Sequence, residues 1–219
     1  MTYTAYYSQN TFTVTYAPGT NGTISATSEV VAENGHPANV PTVTANDGYT
    51  FTGWSKDGGT TLLSKADIEA TTVTGNVTYT AYYSQNTFTV TYAPGTNGTI
   101  SATSESVAEN GHPANVPTVT ANSGYAFTGW SKDGGTTLLS KADIEATTVT
   151  GNVTYTAYYS QNTFTVTYAP GTNGTISATS EVVAENGHPA NVPTVTANSG
   201  YAFTGWSKDG GTTLLSSGY

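Results

Sequence analysis

The chain has 219 residues, no cysteine, five Lys and Arg against fourteen Asp and Glu, and a net charge of −9. All five cations are lysines, too few to neutralise a phosphate backbone, which excludes nucleic acid as a partner. No apolar run approaches a membrane span and no signal peptide is present. If the parent protein is exported, its signal and anchor are expected outside this chain, with Met1 as the initiator of an excised fragment.

The letters repeat with a period of 76 residues: Asn10, Asn86 and Asn162 occupy the same place in three copies. Residues 10–85 and 86–161 are two full copies, and residues 162–219 are a third that follows the pattern through Ser216. Residues 1–9 are either a strand of a preceding repeat or the first arm of an opening hairpin. A period this long suits a small self-contained domain better than a solenoid unit. The expected organisation is three beads in an elongated array. The first two copies differ at three positions, Val30/Ser106, Asp47/Ser123 and Thr50/Ala126, and the second and third differ only at Ser106/Val182. An enzyme gains little from near-identical copies, whereas a spacer gains reach and a binder gains avidity.

Within the first copy, "TFTVTYA" (11–17) alternates strictly, with Phe12, Val14 and Tyr16 on one face and threonines on the other. "PGTNG" is a turn, and "TISAT" (23–27) and "EVVA" are short strands, the latter closed by a second Asn-Gly turn. Pro41 in "ANVPTVTA" predicts an edge strand or an extended loop. "GYTFTGW" (48–54) is a strand in which Gly53 signals a bulge, and "SKDGGTTLL" reads as a loop. "SKADIEA" (64–70) is a short helix with Ser64 as its cap and Asp67 three residues on. "GNVTYTAYY" (75–83) closes the copy with Val77, Tyr79, Ala81 and Tyr83 on one face. The class is mainly β, α+β at most. The expected core is Phe12, Val14, Tyr16, Ile24, Val31, Val43, Tyr49, Phe51, Trp54, Leu62, Ile68, Val77, Tyr79, Ala81 and Tyr83, thin for its length.

The combination of "FTVTYAPGTNGTIS", "GYTFTGW" or "GYAFTGW", and "VTGNVTYTAYY" resembles the Listeria–Bacteroides repeat, or internalin B-repeat, family. Tyr83 stands where that family usually ends in Trp. The resemblance implies β-grasp-like domains in tandem arrays on secreted or wall-attached bacterial proteins, serving as spacers with auxiliary binding in some members. It implies an extracellular, cell-surface location, and it brings no catalytic residues. A cysteine-free, Thr- and Asn-rich composition agrees with such surface repeats, though it also fits a cytosolic protein.

The chemistry-bearing residues are sparse. His36, His112 and His188 each stand in an "ENGHPAN" turn with no second histidine nearby, so turn histidines are expected, not metal ligands. Asp57 between lysine and glycine lacks the ligand density of a calcium loop. No nucleophile elbow or triad spacing occurs, and no cofactor is implied. Lys56 and Lys65 sit outside apolar stretches and are read as solvated. Trp54, Trp130 and Trp206, with Tyr82 and Tyr158, are the candidate binding surface for a host or matrix glycan or protein, although aromatics in a small β domain more often form its core. A structural stalk of a bacterial surface protein is the leading expectation. The alternative is a multivalent glycan- or protein-binding module. Because "TYTAYY" stands at residues 2–7 and does not recur after Ser216, head-to-tail self-association by strand addition belongs with that alternative.

Overall fold

The computed structural model describes residues 1–215. It is mainly β, 44% strand against 5% helix, and contains three repeated β units. The described residues pack into two compact units. One holds Met1–Val90, Glu105–Ala114 and Ala146–Val153; the other holds Thr91–Ser104, Asn115–Glu145 and the stretch from Thr154.

The first copy, whole within the first unit, runs β1 (Thr11–Ala17), β2 (Gly22–Ile24), β3 (Ser28–Ala32), β4 (Val43–Ala45), β5 (Tyr49–Lys56), β6 (Leu62–Leu63), α1 (Lys65–Glu69) and β7 (Val77–Gln85). Five strands form one sheet in the order β3-β1-β7-β5-β6, and β2 pairs with β4 in a separate ribbon. The closing strand β7 lies in the middle. It runs parallel to β1, with Val14 opposite Val77 and Ala17 opposite Thr80, and antiparallel to β5 from Tyr49–Gln85 to Lys56–Tyr79. A parallel neighbour needs a long crossover, which the fifty-nine residues between β1 and β7 (18–76) supply. Residues 2–7 form no strand, and both neighbours of β1 belong to its own copy.

Alternation decides which face is buried. Val14, Tyr16, Val31, Trp54, Ile68, Val77, Tyr79 and Ala81 form the core, with Phe12, Ile24, Val43, Phe51, Leu63 and Tyr83 packed around them. Two expectations are corrected. Leu62 is 40% exposed and Leu63 points inward instead, because β6 pairs Leu63 with Trp54 and Leu62 with Ser55. The stretch read as a loop therefore ends in a short strand. Val40 and Val73, outside regular structure, are buried in the core as well.

Local signals explain the elements. Gly53 sits at φ 147° where the β5–β7 register shifts between Phe51 and Gly53. A Cβ there would come within 3.0 Å of Leu62 Cβ. Ser64 and Asp67 form a reciprocal capping box on α1, which satisfies two donors that a short helix leaves open. Asn34 adopts φ 63° in the turn after β3. Its N–H donates to Val73 O at 2.8 Å, and Gly35 N–H donates to Ala32 O at 2.8 Å.

The second copy comprises β8 (Thr87–Ala93), β9 (Gly98–Ile100), β10 (Ser104–Ala108), β11 (Val119–Ala121), β12 (Tyr125–Lys132), β13 (Leu138–Leu139), α2 (Lys141–Glu145) and β14 (Val153–Gln161), with sheet order β10-β8-β14-β12-β13. The third has β15 (Thr163–Thr167), β16 (Gly174–Ile176), β17 (Ser180–Ala184), β18 (Val195–Ala197), β19 (Trp206–Ser207) and β20 (Leu214–Leu215). These pair only as ribbons β15-β17, β16-β18 and β19-β20 among the described residues. The "SGY" departure at 217–219 lies outside the described residues.

One residue separates the last strand of one copy from the first strand of the next: Asn86 between β7 and β8, and Asn162 between β14 and β15. Asn86 donates its N–H to Gly48 O and accepts from Glu109 N–H on its own carbonyl. Its side chain accepts from Thr50 Oγ1 at 2.7 Å and donates to Glu109 Oε2 at 2.8 Å. Asn162 keeps the backbone bonds to Gly124 and Glu185 and the side-chain bond to Glu185. Ala126 stands where Thr50 stands in the first copy and has no hydroxyl to offer.

Candidate functional site

The strand pairing places the small polar residues of the first copy on one face. Thr15 is opposite Ser28 on one side and Thr78 on the other. Thr13 is opposite Val30, Thr80 opposite Ser55 and Tyr82 opposite Gly53. Ser55 is itself covered and donates its hydroxyl to Gly59 O at 2.6 Å, so the hydroxyls that face solvent come from β3, β1 and β7, beside one ring, Tyr82, 46% exposed. Tyr158 has the same exposure in the second copy. Val30 is 69% exposed, and serine replaces it in the second copy.

The tryptophans divide. Trp54 and Trp130 are buried, each 1% exposed. Trp54 meets Tyr16 edge-on at 5.5 Å and Phe51 at 5.8 Å, and Trp130 meets Tyr92 and Phe127 at the same two distances. An indole covered in this way presents no face to a ligand. Trp206 packs edge-on against Tyr168 and Phe203 but is only half-buried. Of the expected surface, Tyr82 and Tyr158 are exposed in the first two copies and Trp206 is partly exposed in the third.

An acidic residue that the sequence did not single out organises the irregular stretch after β3. Glu29 accepts hydrogen bonds from Tyr16 Oη at 2.7 Å, the N–H groups of Ala38 and Asn39 at 3.0 and 3.1 Å, and Asn39 Nδ2 at 3.4 Å. Burial alone would raise the Glu29 carboxyl, but the bonds from Tyr16, Ala38 and Asn39 outweigh it and hold the group below the usual range. Burial, and then the Glu29 bond, push the Tyr16 phenol upward. No local pattern in the sequence marks Glu29, whose backbone partners Ala38 and Asn39 lie nine and ten residues on, beyond the turn after β3.

The other candidates have structural partners. His36 Nδ1 lies 3.1 Å from Thr71 O, and His112 Nδ1 lies 3.0 Å from Thr147 O. Asp57 accepts from Thr78 N–H at 2.9 Å and so ties the turn after β5 to β7. Lys65 pairs with Glu69 at 3.6 Å on the exposed side of α1. Among the described residues no group of three or more His, Cys, Asp or Glu is placed to hold a metal ion.

The third copy carries a shallow groove of about 210 Å³ lined by Pro170, Gly174, Val195, Tyr201 and Phe203. Their counterparts in the first copy are Pro18, Gly22, Val43, Tyr49 and Phe51. There the Tyr83 ring of β7 lies 5.9 Å from Phe51 and its hydroxyl donates to Pro18 O at 2.8 Å. The groove is the seat that Tyr83 fills in the first copy.

The placement of the closing strand beside the first, in each full copy, accompanies a family match. The divergent InlB B-repeat domain matches residues 12–87, 88–163 and 164–218. The chain belongs to the divergent InlB B-repeat family. Two relatives come from Evansella cellulosilytica. One, named "Putative membrane protein", is 36% identical over 211 residues, covering 95% of this chain and 30% of the relative. The other, named "Putative Gly-rich membrane protein", is 34% identical over 202 residues, covering 91% of this chain and 22% of the relative. The repeats thus span less than a third of either relative. No solved structure matches the chain. Among the described residues no helix is long and apolar enough to cross a membrane.

Proposed function

We propose that these B-repeats are spacer modules of a bacterial surface protein, located outside the cell, that hold a functional region away from the envelope. The observation that supports this most is how the first two copies use their aromatic residues. Trp54 and Trp130 are spent inside the cores, while one residue joins the last strand of a copy to the first strand of the next. Near-identical copies make copy number the property that varies. No catalytic step belongs to this reading.

Display on a bacterial surface tests it. An epitope carried beyond one, two or three copies should become steadily more accessible to a bulky antibody. Equal accessibility at every copy number overturns the spacer reading. A glycan array and a pull-down with the 219-residue chain give the other arm. Retention that falls when Tyr82 and Tyr158 are both changed to alanine would make the repeats a multivalent binding module.

A further inference from the structure

The first copy's chain enters its fold through β1 and leaves through β7, and these two strands are hydrogen-bonded neighbours running parallel. Tension carried along the backbone pulls β1 toward its N-terminal end at Thr11 and β7 toward its C-terminal end at Gln85. For parallel neighbours those are opposite directions along one seam. The strands are asked to slide, and the evenly spaced bonds of a parallel ladder take the load together. In an antiparallel pair the same pull would open the bonds one after another from one end.

The seam is extended by side chains at both ends. Thr13 N–H donates to Asn76 Oδ1 at 2.9 Å, just before β7 begins. Tyr83 Oη reaches back to Pro18 O at 2.8 Å, just after β1 ends. Between these pins Tyr16 stacks on Tyr79 with ring centres 6.0 Å apart. Beside them Gly19 approaches β7 so closely that a Cβ would come within 2.3 Å of Ala81 O. Neither strand can peel outward, because β3 holds β1 and β5 holds β7 from the far sides. The sheet edges are β3 and β6, which the pull does not address directly.

We propose that the β1–β7 seam is a mechanical clamp, and that each complete repeat is a load-bearing module which resists tension applied through its own chain ends. The inference rests on strand order and direction. It stands whether the repeats are spacers or binders, and a failure of the surface-display test leaves it untouched.

The direction of pulling separates a clamp from ordinary stability. The chain has no cysteine, so handles can be attached at introduced thiols in the full protein. One variant carries Gln9→Cys and Gln85→Cys and loads the seam in shear. The other carries Gln9→Cys and Gly75→Cys and pulls both strands from the same end. Gly75 has nothing within 4 Å of its Cβ position, so the second pair leaves packing intact. Matching thermal melts confirm that both variants share one fold. At one loading rate, the rupture releasing about 25 nm of chain, at roughly 3.5 Å per residue, is expected at least twofold higher in force for the 9/85 pair. Tyr83→Phe, which removes the bond to Pro18 O at the end of the seam away from residues 9 and 75, should lower the 9/85 force and leave the 9/75 force unchanged, since forced unfolding reads the unfolding rate along the pulled coordinate. Equal forces in the two directions, or equal loss in both in Tyr83→Phe, overturn the clamp.

Discussion

The first and third copies carry nearly the same letters and reach different states of burial. Val14 and Tyr16 are buried in the first, while Val166 and Tyr168 are only half-buried in the third. Phe164 is 61% exposed where Phe12 is partly covered. Trp54 is sealed and Trp206 is not. The difference follows β7, which in the first copy lies between β1 and β5 and contributes Val77, Tyr79 and Ala81 to the core. The phenols register the same change. Burial is the leading cause that raises Tyr16, whereas Tyr168 is pushed up to about 12 chiefly by its hydrogen bond to Glu181. The antiparallel pairs β1–β3 and β2–β4 form in either setting; the long-range parallel strand makes them a core.

The largest test of that contrast is truncation of the indole. Trp54→Ala should destabilise the first copy by about 3–5 kcal/mol, the usual cost of emptying a packed aromatic site. Trp206→Ala should cost far less in the third. Hydrogen exchange resolved by segment reads the two copies separately.

Glu29→Ala comes next. It leaves Tyr16 Oη and the N–H groups of Ala38 and Asn39 without their acceptor, a loss of about 1–2 kcal/mol after allowance for solvent access. Acid should mimic it. The Glu29 carboxyl titrates below its ordinary value of 4.5 in the fold. Its contribution is therefore complete above that value and is lost as pH falls through the lower folded value. Chemical denaturation midpoints from pH 7 down to pH 3 should fall less steeply in Glu29→Gln than in the parent chain.

Tyr79→Phe should act in the opposite direction. The Tyr79 hydroxyl is buried without a hydrogen-bond partner, and removing an unsatisfied buried group is neutral or stabilising by up to about 1 kcal/mol. A thermal melt lowered by this change would mean that the hydroxyl is satisfied in solution. The smallest effect is expected from Thr50→Ala, which gives the first joint the residue found at the second. Loss of the exposed bond to Asn86 should cost about 0.5 kcal/mol. Faster amide exchange at Asn86, with the rest of the first copy unaffected, is the expected signature.

Strict alternation in "TFTVTYA" and "VTYTAYY" made the inward faces of β1 and β7 legible from sequence, and Gly53 and the Ser64–Asp67 pair gave the bulge and the helix cap. Leu62 was misplaced because two adjacent leucines carry no alternation; only pairing with Trp54 and Ser55 sets their phase. Val40 and Val73 were missed because they lie in irregular segments, where periodicity is silent and burial is decided by the crossover. The exposure of Tyr82 follows from strand phase. The role of Glu29 does not, since its partners Ala38 and Asn39 are joined to it by tertiary folding alone.

The Asn34–Gly35 turn has a consequence in chemical ageing. Asn-Gly pairs lose ammonia when the glycine nitrogen attacks the asparagine side-chain carbonyl, which requires that nitrogen to be free and the backbone to swing. Here Gly35 N–H is engaged with Ala32 O, and Asn34 is itself held by Val73 O in a left-handed conformation. The turn thus shields one of the two Asn-Gly pairs of the copy from deamidation for as long as the copy stays folded; Asn110 and Gly111 make the same two bonds, to Val149 O and Ala108 O, while in the third copy Gly187 N–H keeps its bond to Ala184 O.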